Sequence, residues 1–174
     1  LGENAEWTKQ TLLELSARAP LMVHIPGVTK SQTNREELVE FVDIFPTLVE
    51  AAGLPPLKLC PEPDSVKTPL CTEGLSFLPL IQDGKPREWK SRVFTHQQRG
   101  ENTMGLSMRT DRYRYTEWAP EGDDRDVIAV ELYDHQTDPQ ENHNIAHEPK
   151  MADIKQELSQ QLEEYWRAAM PPKN

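Results

Sequence analysis

Two features are missing from this sequence: a long apolar run and an excess of positive charge. No apolar run among the 174 residues approaches the ~20 residues that a helix needs to span a bilayer. The sequence therefore predicts no transmembrane segment. The formal net charge is −10 at pH 7, whereas nucleic acids and anionic membranes bind basic surfaces. We expect neither as the main partner, although a local basic pocket can bind an anionic substrate within an acidic protein.

Complete catalytic signatures are also missing. The sequence has no P-loop, GxSxG, HExxH or GxGxxG motif, and its five histidines do not have the spacing of a metal site. The chain begins at Leu1, and no signal-peptide pattern precedes the first apolar segment. We therefore interpret the chain as a piece of a larger protein and expect the piece to be inactive alone.

Cysteine is scarce, and its two positions lie close together. Cys60 and Cys71 bracket a loop that contains three prolines. This arrangement favours a disulfide over the alternative, a pair of reduced structural thiols. The bond would add roughly 3 kcal/mol in the chain-entropy account of disulfide stability. It would also indicate an oxidising compartment, so we expect a lysosomal, periplasmic or secreted protein.

The first half of the chain has the pattern of an α/β portion, placed at residues 1–86. Residues 21–25 are apolar and end at a Pro-Gly turn, which predicts a buried strand. A helix is predicted from an N-cap at Asp43, through Pro46 in its first turn, to a stop at Gly53. The helical spacing predicts a core-facing side formed by Phe45, Leu48, Val49 and Ala52.

The second half, residues 87–174, has the pattern of a small α+β subdomain. Short strands are predicted at 92–96, 103–110, 113–118 and 130–134, with a hairpin at Asp111-Arg112. An amphipathic helix follows, with Met151, Ile154, Leu158, Leu162 and Tyr165 or Trp166 on one side. The predicted architecture is a four-stranded antiparallel sheet packed by a C-terminal helix.

Five motifs, taken together, resemble the sulfatase family. They are Leu1-Gly2-Glu3 with Trp7-Thr8-Lys9, Pro20 to Gly27, Asp43 to Pro55, Met104 to Trp118, and Glu131 to Asp134 followed by Asp138 to Asn144. Each motif is weak alone, but together they follow the family's order over nearly the whole chain. The Cys60–Cys71 loop and the Arg-Tyr-Thr strand most resemble the iduronate-2-sulfatase group. The resemblance implies that residues 1–86 end an alkaline-phosphatase-like α/β domain.

The resemblance also implies a chemistry. Sulfatases hydrolyse sulfate esters with a formylglycine made from Cys or Ser, and they usually hold calcium with Asp and Asn or His side chains. Both features are expected upstream of this chain, which itself holds no metal ligand. The implied partners are a sulfated sugar or glycosaminoglycan and the N-terminal part of the same protein. Lys9 matches the lysine that binds the sulfate group, a role that suits a point charge.

One departure concerns the sugar. Iduronate-2-sulfatases have a substrate-binding lysine where this chain has Asn102. Since Asn cannot neutralise a carboxylate, His96 and Arg99 are candidates to supply the charge, with Asn102 as a third candidate contact. Two alternatives remain open: a phosphodiesterase or phosphonate hydrolase of the same superfamily, and a non-catalytic binding or structural module.

Overall fold

The structure is a computed structural model, and its contacts divide the chain into two compact units. The described residues are 2, 4, 7, 10–30, 33–60, 71–82, 89–122 and 126–169, with side chains described up to residue 164. The first unit combines Leu1–Pro20 with Arg92–Glu164, and the second combines Leu21–Ser91 with Tyr165–Asn174. The sequence-based division after residue 86 concerns domains of the complete protein and stays a prediction.

The first unit is built around a four-stranded antiparallel sheet. Its strands are β1 (Arg92–Arg99), β2 (Thr103–Thr110), β3 (Tyr113–Pro120) and β4 (Ala129–Asp134), and each pairs with the next one along the chain. In the register, Met108 lies opposite Tyr115, and Tyr115 lies opposite Leu132. The four predicted strands and the hairpin at Asp111-Arg112 are therefore confirmed.

One face of this sheet is apolar and is associated with the C-terminal helix. Helix α4 (Ala152–Ala169) follows a 3-10 turn at Pro149–Met151. The buried apolar side chains are Met108, Tyr115, Ala119 and Leu132 on this face, Met151 in the turn, and Leu158 and Leu162 on the helix. Ser159 of α4 donates a hydrogen bond of 2.6 Å to Glu117 on β3. The predicted amphipathic helix is confirmed, with Leu158 and Leu162 of its apolar side buried and Ile154 half-buried. The side chains of Tyr165 and Trp166 lie outside the described residues.

The opposite face of the sheet is polar yet buried. Since side chains alternate along a strand, Ser107, Arg114 and Thr116 share this face, and all three are buried. The Thr116 hydroxyl donates to Ser107 Oγ at 2.9 Å. Segment 10–18, which contains the short helix α1 (Glu14–Ala17), contributes Leu12 to the core at 2% exposure.

The second unit is organised by a buried carboxylate. A 3-10 turn at Phe41–Asp43 leads into α2 (Ile44–Ala51), and α3 spans Leu78–Gln82. Asp43 is fully buried. Its Oδ1 accepts hydrogen bonds from the Leu75 backbone N–H and from Lys90 Nζ, both at 2.8 Å. This carboxylate joins the start of α2 to the chain that follows the cysteine loop.

Asp43 does not cap the helix in the way that the sequence suggested. Although it precedes α2, its side chain makes no N-cap hydrogen bond to that helix. The carboxylate instead accepts from the Glu40 backbone N–H at 2.8 Å, within a capping box of the 3-10 turn. The predicted stop is confirmed, because Gly53 follows α2 in a left-handed conformation with φ of +67°.

Two expectations about burial are wrong for the described residues. The predicted core side of α2 is largely solvent-facing, with Phe45 at 63% and Leu48 at 60% exposure. The buried positions of α2 are Pro46 and Thr47. The Thr47 hydroxyl accepts a hydrogen bond from the Phe77 backbone N–H, so this side of the helix is the one in contact with the protein. Residues 21–25 form no strand, and Met22 is 91% exposed.

The two cysteines form the predicted bond. Cys60 and Cys71 are joined in a disulfide, with their Cα atoms 4.9 Å apart. Backbone hydrogen bonds support the same junction, since Thr72 accepts from Cys60 and donates to Lys58. Among the described helices, none has the length and apolar character needed to cross a bilayer.

Candidate functional site

A cavity of about 360 Å³ opens on the polar face of the sheet. Its lining comes from segment 10–13, from the strands and from the loop after β4, and its polar members include Asn4, Gln10, Arg99, Tyr133 and Asn142. Ligand pockets of small molecules begin at roughly 300 Å³. The volume is therefore in the range of a small-molecule site, and its amide and hydroxyl side chains can donate and accept hydrogen bonds.

Arg99 is the cation among the described lining residues. Its guanidinium carbon lies 5.3 Å from the centre of the Trp118 ring, which is a cation–π contact. Arg99 ends β1, where it pairs with Thr103, and Trp118 is 8% exposed. A guanidinium supported by an aromatic ring presents its planar donors in a fixed orientation, which suits a carboxylate or sulfate group.

The carboxylate of Glu131 fixes the orientation of the Trp118 ring. Trp118 Nε1 donates to Glu131 Oε1 at 2.9 Å, and the Tyr133 hydroxyl donates to Glu131 Oε2 at 3.2 Å. Burial raises the pKa of Tyr133, and the negative charge of Glu131 raises this pKa further. The hydroxyl therefore stays protonated and continues to donate at neutral pH.

The close fit of Trp118 depends on a glycine in the neighbouring strand. Gly105 pairs with Trp118 in the register of β2 and β3. A Cβ atom at position 105 would lie 2.5 Å from Trp118 Cζ3 and 2.6 Å from Leu12 Cδ1. Both distances are far below van der Waals contact. The absence of a side chain lets the indole ring and Leu12 meet over the strand.

A buried ionic network borders the same cavity. It is centred on Glu141, which is 2% exposed and lines the cavity. Glu141 Oε1 accepts from Arg114 Nε at 2.6 Å and from His135 Nε2 at 2.7 Å, while Oε2 accepts from the Glu14 backbone N–H at 2.6 Å. Arg114 Nη2 also donates to Glu14 Oε2 at 2.6 Å. Arg114 thus joins two carboxylates from distant parts of the chain.

The network keeps Glu141 ionised and fixes the tautomer of His135. Burial opposes the charge on Glu141, but the hydrogen bond from His135 and the charge of Arg114 outweigh it and lower the pKa of Glu141. Arg109 Nη2 lies 2.9 Å from His135 Nδ1. Since a guanidinium can only donate, Nδ1 accepts, and the imidazole proton is on Nε2, where it donates to Glu141.

Glu14, His135 and Glu141 also have the arrangement of a potential metal site, because one ligand atom of each lies within 4.8 Å of the others. However, Arg114 already binds both carboxylates, and Arg109 Nε lies 3.3 Å from Glu14 Oε2. Two guanidinium groups beside these carboxylates repel a divalent cation, and they already bind the oxygen atoms that the cation would need. This cluster therefore does not fit calcium.

The candidates predicted from sequence have different positions. Arg99 lines the cavity, whereas His96 is an exposed residue of β1 and Asn102 an exposed residue of the turn before β2. The Asn102 carbonyl accepts from the Glu121 backbone N–H at 2.8 Å. Lys9 lies outside the described residues. Substrate roles for all four residues stay predictions.

Sequence reasoning missed the supporting residues of the cavity. Alternation along the strands places Arg114 and Trp118 on one face, which the sequence could have indicated. Glu141 could not be found in this way, since it belongs to a loop and has a left-handed φ of +57°. Its partner Glu14 is 127 residues away in the chain.

Comparison with known proteins places these features in a family. The sequence matches the family described as N-sulphoglucosamine sulphohydrolase, C-terminal, over residues 2–168. Iduronate 2-sulfatase of Mus musculus is 31% identical over an aligned length of 202 positions, and the match covers 83% of this chain and 36% of the mouse protein. This chain therefore spans little more than a third of that relative's length.

Solved structures are similar as well. A 2-O GAG sulfatase is 26% identical with a TM-score of 0.51, and the match covers 76% of this chain and 27% of that chain. A phosphonate monoester hydrolase from Silicibacter pomeroyi is 22% identical with a TM-score of 0.59, covering 78% of this chain and 26% of that chain. The second likeness shows a shared fold alone. The family match extends over nearly all of this chain, from residue 2 to residue 168. The chain therefore belongs to the sulfatase family, and it matches the C-terminal region that is described for N-sulphoglucosamine sulphohydrolase.

Proposed function

We propose that this chain is the C-terminal part of a sulfatase that hydrolyses sulfate esters of a sulfated sugar. The cavity beside Arg99 would form a wall of its substrate site. The observation that carries the proposal is the Arg99 guanidinium held over Trp118, in a cavity lined by amides, in a chain of this family. These groups match a hydroxyl-rich ring that bears an anionic substituent.

The described residues would bind and orient the sugar. Arg99 would pair with a carboxylate or a second sulfate group, and Gln10 and Asn142 would contact ring hydroxyls. Asn102 would lie at the outer edge, and Lys9 would bind the sulfate that is removed. His96 pairs with Leu106, which pairs with Glu117, so His96 would contact only a part of the substrate outside this cavity. Formylglycine would supply the nucleophile and calcium would neutralise sulfate charge, both held by the part of the protein that precedes this chain.

The sugar is proposed only as a class. The similar mouse protein is named for iduronate, but Asn102 cannot provide the cation expected of an iduronate enzyme. Arg99, which pairs with Thr103 at the β1–β2 turn, would supply the positive charge instead. The proposal therefore covers anionic sulfated sugars of glycosaminoglycans, handled in an oxidising compartment in keeping with the disulfide.

The full-length protein provides the test. We expect it to release inorganic sulfate from sulfated monosaccharides and to be far slower with a phosphonate monoester or phosphate diester. This chain alone should release none. Lys9→Ala should lower kcat/KM by roughly 10²- to 10³-fold, like the loss of one donor to developing charge.

Lys30→Ala, in the polar loop, is the matched control and should be near neutral. A higher kcat/KM for the phosphorus esters would assign the protein to the phosphonate hydrolases. No turnover of any ester by a correctly folded full-length protein would favour a non-catalytic module. Equal effects of Lys9→Ala and Lys30→Ala would remove the catalytic role of Lys9.

A further inference from the structure

We infer that Glu141 is a positioning residue for the cavity: it clamps segment 10–18 against the sheet and thereby places the wall that a sugar contacts. The inference rests on the proposed function for the identity of the ligand. The clamp itself rests on hydrogen bonds that join parts of the chain more than a hundred residues apart.

Glu141 connects two walls of the cavity. It lies in the loop after β4, next to the lining residue Asn142. Across the cavity, residues 10–13 form the wall that leads into α1. The 2.6 Å hydrogen bond from the Glu14 backbone N–H to Glu141 Oε2 ties the end of this wall to the loop.

Protein groups already bind both oxygens of the carboxylate. Oε1 accepts from Arg114 and His135, and Oε2 accepts from Glu14. All of these partners are protein groups. Glu141 therefore acts through the segment that it holds, which distinguishes positioning from substrate binding.

The backbone of Glu141 indicates that the surrounding structure imposes its conformation. A left-handed φ of +57° is uncommon for a residue other than Gly, Asn or Asp. Such a conformation persists where neighbouring contacts over-determine it. Here the three hydrogen bonds to the carboxylate provide those contacts and bring the side chain beneath segment 10–18.

Removing the charge would release the wall. Arg114 is 2% exposed and would lose a buried charged partner, and the Glu14 backbone N–H would lose its charged acceptor, Glu141 Oε2. Leu12, which packs beside Gly105, belongs to the same segment. Movement of this segment would change the cavity beneath Trp118 without altering Arg99 itself.

Hydrogen exchange on the full-length protein tests the clamp independently of activity. In Glu141→Gln, the amides of residues 13–18 should exchange at least about fivefold faster than in the wild type, because a buried charged hydrogen bond is lost. Glu117→Gln is the matched control: it removes the charge of a half-buried carboxylate on the opposite face of the sheet, which accepts hydrogen bonds from Tyr115 and Ser159. It should leave exchange in residues 13–18 unchanged.

Kinetics test the consequence for the ligand. With a sulfated monosaccharide, Glu141→Gln should raise KM roughly tenfold while kcat changes by less than about threefold, since a misplaced wall weakens binding more than chemistry. Glu117→Gln should leave KM unchanged. If Glu141→Gln does not fold, Glu141→Asp replaces it, because the shorter side chain keeps the charge but cannot reach Arg114, His135 and the Glu14 backbone N–H together.

Faster exchange together with a raised KM supports the inference. Faster exchange with unchanged KM, in an active enzyme, would show that the clamp is structural and would overturn the positioning role. Unchanged exchange in Glu141→Gln, or in Glu141→Asp if that variant is used, would overturn the clamp. A wild-type enzyme that hydrolyses no sulfated sugar would refute the proposed function, while the exchange result would still decide the clamp.

Discussion

Gly105 and Trp118 face each other across β2 and β3 so closely that a methyl group on Gly105 would lie 2.5 Å from the indole ring. The same ring carries the Arg99 guanidinium at 5.3 Å. A backbone position without a side chain therefore determines where a charged group of the cavity lies. This relationship connects a packing requirement of the sheet to ligand recognition.

Gly105→Ala should displace the Trp118 ring and with it Arg99. We expect a loss of about 1–3 kcal/mol in the free energy of unfolding, as for an overpacked core, and a higher KM for an anionic sugar. Urea unfolding and steady-state kinetics of the full-length enzyme provide the two measurements. Gly122→Ala is the control, because Gly122 has φ of +87° and nothing near its Cβ position. It should lower stability but leave KM unchanged.

Arg99→Gln should raise KM for a sulfated sugar that carries a second anionic group, by roughly tenfold, while a neutral sulfated sugar should be affected little. Arg99→Lys should restore part of the affinity, since it keeps the charge but loses the planar donors. The control is Arg18→Gln, because the Arg18 side chain is 79% exposed. Equal effects of Arg99→Gln on both substrates would contradict recognition of the second anion.

The fold could be predicted where the pattern is local. Alternation in 103–110 and 113–118 indicates strands, and the polar pair Asp111-Arg112 between them indicates a hairpin. The spacing of Leu158 and Leu162 indicates which side of α4 is buried. In each case the residues that decide the structure are close together in the sequence.

The remainder depends on contacts between distant residues. The spacing of Phe45 and Leu48 shows that they share a side of α2, but it does not show which element covers that side. Likewise, Glu14 and Arg114 look like ordinary charged residues in the sequence. Their 2.6 Å contact appears only when segment 10–18 lies on the polar face of the sheet.

Asp43→Asn should strongly destabilise the second unit. It would remove one of the two carboxylates that bind Lys90, whose Nζ also lies 2.8 Å from Glu40 Oε2. The loss of buried hydrogen bonds to a charged group costs about 1.5–3 kcal/mol. Differential scanning calorimetry of the full-length protein measures this effect. Lys150→Gln is a suitable control, since Lys150 pairs with Glu148 at the surface and its side chain is 77% exposed. A change below about 1 kcal/mol for Asp43→Asn would contradict the central role of this carboxylate.

Stability should fall at acid pH through Glu141. Its pKa is lowered from an ordinary value of 4.5 in the folded state, so its contribution is present above pH 4.5 and is lost as the pH falls through the folded pKa. The melting temperature should therefore decrease more steeply below about pH 4.5 in the wild type than in Glu141→Gln. If the melting temperatures of the two proteins change in parallel between pH 3 and 6, the charge of Glu141 does not contribute to the pH dependence of stability.

A crystal structure of the full-length protein, with its nucleophile inactivated and a sulfated uronic acid monosaccharide bound, tests the central claim most directly. We expect the sugar ring in the cavity between segment 10–13 and Trp118, with its carboxylate roughly 3 Å from Arg99 nitrogen atoms. A sugar bound elsewhere on the protein, with solvent in this cavity, would contradict the account.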